Sequence, residues 1–597
     1  MPALEVLSPI DLAIVGLYFA LVMAMGFLVR KRATKDTDAY YLAGRGIPWW
    51  MLGLSGCSSY IDIGGTMGMI GLLFYLGFQG VWVTHVFWGW LIIAGYMAFQ
   101  AKWIRRSGVM TFAEWNVTRF GGGRATEGAR ITAAAFLLVL MLANLTYIAV
   151  GIGKFAPVYL PWNRVTCTLL ILGVVGVYVT LGCFFGVIFT DIAQTVLIVV
   201  GAVILAGMAM KHAGPETWTT ARPDWWWSLD PKWSLPLKDV IPQFTPKTAY
   251  YAQFEHLGPL LVGGAVWLVA RVLAGPNVWD FQFFLSAKSP RDAALAGGVW
   301  TVGYTFRWLM AASLLAFGLA WFGKEGAFDS ELIMPRVIAE LPSGLRGILL
   351  AILLAAFMST FDAMINVTSS VAVNDFIGRY LARGMSQKGL VRLGQVFSLV
   401  ALGAAAFLSL TFRNVNQIWE AMIFSVVTAI LVPSMLRWHW GRFNAQGFTW
   451  GVILTGAACL ADVILRAAIP SYPPQWQTLP FLVVLSLVFS VGAALLTEPT
   501  PMEARAAFYG SVRPFGFWRK ERIEARRLGL VPEGDRTPFW DAASGILSAA
   551  FQIALCLVPF HLVLGNKKGA WLSLAAVLAL AGALYFTWYR RLPPREA

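Results

Sequence analysis

The chain has 597 residues, of which 58% are hydrophobic and 13% are charged, with a formal net charge of +15. Because a soluble domain carries charge on about a quarter of its residues, this composition excludes an ordinary soluble protein and indicates a polytopic α-helical membrane protein. The basic residues lie in short loops between apolar segments and not on one polar face, which argues against nucleic-acid binding.

The five cysteines and five histidines are scattered, with no spacing typical of a disulfide framework or a metal site. The absence of a clustered His/acid site, or of a nucleophile beside a base, disfavours a membrane enzyme. The first apolar segment follows neither a basic region nor a small-residue cleavage site, so we interpret it as a retained span and not as a signal peptide.

About 20 apolar residues are needed to cross a hydrocarbon core of about 30 Å, and this criterion predicts fifteen spans. They are 10–30, 47–75, 78–101, 130–153, 165–182, 184–210, 258–285, 294–322, 345–375, 391–411, 416–436, 448–468, 478–496, 541–563 and 569–589. Most Lys and Arg residues fall in alternate loops, beginning with 30–46, which predicts an outside N-terminus and a cytosolic C-terminus. We expect an integral protein of the plasma membrane, such as a bacterial inner membrane.

Two long polar segments separate groups of spans. Residues 212–256 are rich in Trp and Pro, and we expect them outside, packed over the outer mouth. Residues 498–540 are basic and amphipathic, and we interpret them as a cytosolic segment lying on the surface, with a binding site for a partner as the alternative.

Two of the spans are poor continuous helices. The second has glycines on both sides of Ser58 and Asp62, and the seventh has Gly275-Pro276 between Arg271 and Asp280. Glycine costs about 1 kcal/mol in a helix interior, and proline removes a backbone donor. Breaks five spans apart are typical of five-plus-five inverted repeats, whose unwound segments meet at the membrane midplane. The alternative is that the glycines only allow close helix packing.

The stretch AAFMSTFDAMINVTSS at 355–370 places polar groups in a strongly apolar span. Ala356, Ser359 and Thr360 share one helix face, and their carbonyl and hydroxyl oxygens are the ligands that hard cations prefer. This helix alone cannot complete a coordination shell, so the unwound part of the second span is the expected second source of oxygens. Alternatively, the hydroxyls bond only to carbonyls four residues earlier.

Several motifs occur together in a familiar order. They are YYLAGRGIPWW at 40–50, GVIFTDIAQ at 186–194, FLSAKS at 284–289, the stretch at 355–370 and WGRFNAQG at 440–447. With these motifs, roughly residues 10–470 resemble the sodium/solute symporters, a family that includes sodium-coupled sugar, proline and sialic acid carriers. The resemblance implies a leucine-transporter-type fold: an all-α membrane protein with discontinuous first and sixth core helices, one helix before the ten-helix core and about four after it.

The resemblance also implies a sodium site. It places the sodium ligands on backbone oxygens of Ser58, Ile61 and Ala356 and on the hydroxyls of Ser359 and Thr360.

A second ion is a further hypothesis. Asp191 matches an acidic residue on the family's cytosolic ion path, although it is alternatively a structural carboxylate. Asp362 lies three residues after Ser359, so Asp362 and Asp191 are candidates to share a second cation or a proton. The alternative is that Arg271 neutralises Asp362.

The solute is less well defined. The positions that bind sugar in galactose carriers fall on Gly64, Gly65, Thr84, Ala270 and Glu420, and most of these side chains cannot repeat the sugar contacts. The proline-carrier motif is absent as well. The remaining candidates for substrate binding are Tyr60, Asp62, Thr84, His85, Arg271 and Glu420. Their charges either pair with one another or hold a polar or zwitterionic solute.

We therefore expect a sodium-driven importer of a small polar solute, such as a sugar or an amino-acid-like zwitterion, that works by alternating access. The alternative is a membrane solute sensor built on the same fold. The expected partners are sodium, the solute and the lipid bilayer. The predicted regions are 1–46 with the extra helix, 47–211 and 257–437 as the two repeats, 212–256 outside, 438–497 with additional helices, 498–540 as the linker, and 541–597 with the last helices.

Overall fold

A computed structural model describes most of the chain. The described residues are 7–33, 41–109, 111–245, 248–323, 329–382, 384–412, 415–420 and 425–594. Some side chains within these ranges, including that of Glu420, are outside the description.

The described residues form helices joined by short turns and by two longer segments. The helices of the first half are α1 Pro9–Ala33, α2 Trp49–Ser58, α3 Ile63–Leu76, α4 Gln79–Phe87, α5 Ile92–Ser107, α6 Trp115–Phe120, α7 Arg124–Phe155, α8 Arg164–His212, α9 Leu257–Leu273 and α10 Phe281–Leu285. Those of the second half are α11 Pro290–Gly303, α12 Thr305–Phe322, α13 Ile333–Glu340, α14 Leu345–Ser370, α15 Gln387–Ser409, α16 Val415–Glu420, α17 Thr428–His439, α18 Ala445–Ala468, α19 Gln475–Leu495, α20 Met502–Val512, α21 Arg519–Arg527, α22 Thr537–Val563 and α23 Lys567–Thr587.

The membrane character of the chain is confirmed. Among the described residues, ten helices are long and apolar enough to cross a membrane, or up to twelve if each bent pair is one span. These correspond to all predicted spans except 10–30, 165–182 and 416–436. The three exceptions fall partly on residues whose positions or side chains the structure does not describe.

Both predicted helix breaks are present. α2 and α3 form one span bent by 61° around residues 59–62. α9 ends at Leu273, and a short 3-10 turn, Val278–Asp280, leads into α10. Close packing of glycine also occurs here, because a Cβ at Gly53 would lie 2.5 Å from Val299. A helix break and close packing of glycine therefore occur together in this span.

The structure differs from the sequence prediction at two places. α4 and α5 meet at 55° across residues 88–91, where Gly89 has a φ of +74°, and this bend was not predicted. The helical backbone of α8 continues through residue 183, which is the predicted boundary between the spans 165–182 and 184–210. Residues 165–190 contain no proline, and their four glycines do not interrupt the helix.

The core lies around α14, whose residues from Leu349 to Ser370 are all buried. α14 packs against α1, α7, α8 and α15 and contacts the bent α2–α3 span. This places the polar stretch 355–370 at the centre of the molecule.

The two long polar segments both pack on the helices. In the first, Trp226 is buried against Gly77 and the Gln79 amide donates to the Ser228 and Asp230 carbonyls. In the second, α20 and α21 are joined by a buried ion pair of 2.5 Å between Arg505 and Glu521.

Candidate functional site

The break of the α2–α3 span faces the polar stretch of α14. The Ser58 and Ser359 hydroxyls lie 2.9 Å apart. The Thr360 hydroxyl lies 2.8 Å from the Ser59 carbonyl and 3.1 Å from the Ala356 carbonyl. Thr360 therefore contacts the carbonyl four residues earlier in its own helix, as the alternative interpretation of these hydroxyls expects. It also contacts the break of the α2–α3 span.

The sodium candidates share one buried neighbourhood. The Ile61 amide donates to the Ser58 carbonyl at 2.9 Å, which leaves that oxygen a second lone pair. Ser58, Ile61, Ala356 and Ser359 are all 1% exposed or less. The structure thus brings together the two elements on which the predicted sodium ligands lie, with neutral oxygens of the type that suits a hard cation.

Asp191 lies next to this neighbourhood. Its carboxylate accepts a hydrogen bond from the Ser55 hydroxyl of α2. The Thr195 hydroxyl ties the same turn of α8 to α2, because it donates to the Asp191 carbonyl at 2.7 Å and lies 3.0 Å from the Leu54 carbonyl. Asp191 therefore connects α8 to the helix that carries Ser58.

Asp362 is fully buried one turn after Ser359. Tyr18 of α1 lies within electrostatic reach of both Asp362 and Asp191. Arg271, the alternative partner of Asp362, donates instead to the Asn277 amide oxygen at 2.6 Å.

A cavity of about 40 Å³ lies beside the break. Its walls include the sequence candidates Tyr60, Asp62 and Arg271, and also Thr360. The other lining residues are Ser59, Trp88, Gly89, Trp90, Ile92, Asn144, Tyr147, Asn277, Trp279, Met364 and Trp419. A space of this size holds a few water molecules, so a larger solute requires the walls to move apart.

Asp62 is held by the protein itself. It caps the N-terminus of α3 by accepting from the Gly65 amide at 2.6 Å, and it accepts from the Tyr147 hydroxyl at 2.9 Å. Arg307 lies 3.5 Å from the other carboxylate oxygen and donates to the Tyr60 carbonyl at 2.6 Å. The charge of Asp62 thus has a protein partner.

Arg271 belongs to a second polar network. Asn277, which accepts from Arg271, donates to the Tyr60 hydroxyl, and that hydroxyl donates to Asp280 at 2.5 Å. The Tyr96 hydroxyl donates to the same carboxylate oxygen. This network joins the break of the α2–α3 span, through Tyr60, to the break after α9.

Not all substrate candidates converge. Thr84 and His85 lie in a π-helical turn of α4, where the Thr84 hydroxyl donates to the Val81 carbonyl at 2.9 Å and His85 stacks on Trp308. Neither lines the cavity. The side chain of Glu420 lies outside the described residues.

Sequence reasoning missed several residues that line the cavity or contact its walls. Arg307, whose guanidinium lies 4.4 Å from the centre of the Trp90 ring, has a signal in the sequence, because an arginine in an apolar span needs a partner. Asn144, Tyr147 and Trp419 have no such signal, since each is an unremarkable residue in its own helix.

The family model of the sodium:solute symporter family matches residues 40–455 of the chain. The chain belongs to this family. It is therefore a transporter, with sodium as its coupling ion and a small polar solute as its cargo.

Individual relatives agree with this assignment. The symporter is 28% identical over 501 residues to a sodium/glucose cotransporter 4 from Danio rerio, covering 76% of this chain and 71% of that protein. It is 26% identical over 581 residues to a sodium/myo-inositol cotransporter from Canis lupus familiaris, covering 87% and 76%. Among solved structures, a Na+-coupled sialic acid symporter in a substrate-bound outward-open state has a TM-score of 0.62 at 16% identity, covering 83% of this chain and 99% of that one. This likeness confirms the fold.

Proposed function

We propose that the symporter imports an uncharged polyhydroxylated solute, such as a sugar or a cyclitol, together with sodium bound between α2 and α14. The observation that carries this proposal is the position of Thr360. Its hydroxyl contacts the break of the α2–α3 span, and its side chain also lines the cavity. Sodium and solute would thus bind on two sides of one residue.

The cavity wall favours an uncharged solute. The Asp62 carboxylate faces Arg307. Arg271 is linked through Asn277 and Tyr60 to the Asp280 carboxylate, so each charge at the cavity has an opposite charge nearby in the protein. Amide and hydroxyl groups with aromatic faces remain for a ligand. Among them is the Asn144 amide oxygen, which is buried and has no hydrogen-bond partner among the described residues. Aromatic surfaces beside a few polar groups are typical of small-molecule sites, and the two relatives named above are cotransporters of glucose and myo-inositol.

The coupling of sodium binding to solute binding follows from Thr360, which lies between the two proposed sites. Sodium between Ser58, Ile61 and α14 would hold the break of the α2–α3 span against Ser359 and Thr360, and this fixes the Tyr60 side of the cavity. Solute binding then strengthens sodium binding by the same factor by which sodium strengthens solute binding. Inward sodium movement supplies about 2.3 kcal/mol per charge per 100 mV.

A second ion is part of the proposal. Asp191 and Asp362 flank Ser359 on two helices, and we infer that they share a further cation or a proton during transport.

The test is uptake by reconstituted liposomes, with D-glucose, myo-inositol, proline and sialic acid offered in sodium and in matched potassium gradients. We expect uptake of a polyol in sodium alone. Ser359→Ala should raise the half-saturating sodium concentration about tenfold, the effect of losing roughly 1.4 kcal/mol of binding.

Ser398→Ala is the matched control, because the Ser398 hydroxyl donates only to the Gly394 carbonyl of its own helix at 2.9 Å. It should leave the sodium dependence unchanged. Uptake of proline or sialic acid in place of a polyol would refute the substrate class, and equal uptake in potassium would refute the sodium site.

A further inference from the structure

The segment 513–518, here called the docking segment, is bound to the end of α17. The Phe517 amide donates to the His439 carbonyl at 2.7 Å, and the Gly441 amide donates to the Phe517 carbonyl at 3.1 Å. The Trp518 indole donates to the Trp438 carbonyl at 3.0 Å. These bonds fix the docking segment to the end of α17.

The same end of α17 contacts the break after α9. The Nε2 atom of His439 lies 2.9 Å from the carbonyl oxygen of Leu273, the last residue of α9. Gly275 has a φ of +102°, and a Cβ there would lie 2.8 Å from the Trp438 indole nitrogen. Two residues further on is Asn277, which lines the solute cavity.

His439 joins these two sets of contacts. Its Nδ1 atom lies 2.9 Å from the carbonyl oxygen of Phe515, in the docking segment, while Nε2 faces Leu273. The same ring therefore contacts the docking segment through one nitrogen and the end of α9 through the other. A displacement of either segment moves the ring and so changes its contact with the other segment.

We propose that His439 is a positioning residue through which the docking segment sets the geometry of the α9 break, and thereby the solute side of the transport cycle. The inference rests on the proposed function, in that solute passes the α9 break. The segment 498–540 contributes no residue to the cavity. This proposal gives it a role in transport through its contact with the end of α17.

The test is a double-mutant cycle on solute uptake. In His439→Gln the amide has one nitrogen donor and an oxygen that cannot donate to a carbonyl, so the link between the two carbonyls is lost. We expect the half-saturating solute concentration to shift about threefold or more while that of sodium stays within about twofold. Gly516→Ala perturbs the contact between the docking segment and the backbone of His439 without changing the imidazole, because Gly516 has a φ of +124° and its Cβ would meet the His439 carbonyl. We expect the same shift, and no further shift in the double variant.

Gly529→Ala is the matched control. Gly529 also has a positive φ, +69°, but nothing lies within 4 Å of its Cβ position, so it should transport like the wild type. If Gly516→Ala does not fold, Trp518→Phe replaces it, since that variant removes the hydrogen bond to Trp438 and keeps an aromatic ring.

Hydrogen exchange measured without solute separates this inference from the proposed function. Gly516→Ala or Trp518→Phe should speed exchange at residues 273–277 as well as at 513–518. Additive shifts in the cycle, or faster exchange confined to 513–518, would overturn the role of His439. If exchange is coupled but the wild type takes up no polyol, the proposed substrate class falls and the link through His439 stands.

Discussion

At the scale of the residue, the buried Asp62 carboxylate stabilises the break of the α2–α3 span. It accepts from the Gly65 amide at the start of α3, where the positive end of the helix dipole also favours a negative charge. An N-cap of this kind contributes about 1 kcal/mol. Arg307 then balances the charge from α12, so that the break, α3 and α12 are held at one point.

The Arg307→Gln variant tests this arrangement. It leaves the Asp62 carboxylate buried without its cation, which typically costs 3–5 kcal/mol. We expect a large loss of stability, measured as the free energy or midpoint of unfolding in detergent. Adding Asp62→Asn should restore part of that stability, because asparagine is also a good N-cap and carries no charge.

Lys232→Gln is the control for this prediction. Lys232 pairs with Asp230 at 2.7 Å and both side chains are exposed, at 39% and 74%, and such pairs contribute only about 0–1 kcal/mol. If the double variant at 62 and 307 were less stable than Arg307→Gln alone, the two residues would not be balancing each other.

At the scale of the element, α14 carries the polar side chains that are proposed to bind ions. Ser359, Thr360 and Asp362 occur within one turn of a helix that is buried on all sides. A carboxylate in such a place is costly and usually functional. The turn of α14 that contains Asp362 lies beside Asp191 of α8, and Asp191 accepts a hydrogen bond from α2.

We therefore expect Asp362→Asn to change the number of charges carried per solute. The measurement is the charge-to-solute ratio in liposomes, obtained from the membrane potential at which net uptake reverses. Asp462→Asn, at a peripheral ion pair on α18, should keep the wild-type ratio. An unchanged ratio in Asp362→Asn would remove the second ion from the proposal.

The elements differ in how far the sequence predicts them. The breaks near Asp62 and at Gly275-Pro276 are visible in the sequence because each follows from local backbone chemistry: glycine clusters and a proline. The bend between α4 and α5 depends on a single glycine, Gly89, in an apolar run, and one glycine is compatible with a straight helix. The helical backbone through residue 183 is not predictable from span length alone.

At the scale of the whole molecule, the cavity depends on contacts between distant parts of the chain. The polar stretch of α14 and the break near Ser58 could be predicted to meet because the family resemblance placed both. Asn144 and Trp419 line the cavity from two other helices, and Arg307 contacts its Asp62 wall from a third. Tertiary packing sets this convergence. No periodicity within any one of these helices contains that information.

Sidedness is the remaining property of the whole molecule. Alternate loops hold most of the basic residues, which predicts that the segment 212–256 is outside and the segment 498–540 is cytosolic. The docking segment and the outer Trp-rich segment would then act on the transport path from opposite sides of the membrane.

Lys238→Cys and Lys520→Cys test this orientation as a matched pair, since both lysines are exposed and lie in the two segments. The described native cysteines, Cys57, Cys167, Cys459 and Cys556, are buried, so the introduced thiols should react first with a membrane-impermeant maleimide. We expect labelling of position 238 in intact cells and labelling of position 520 only after permeabilisation. The unmodified chain, treated in the same way, measures the background from native thiols. The reverse pattern would contradict the predicted topology and would place the docking segment outside, whereas the inward sodium gradient would still drive uptake.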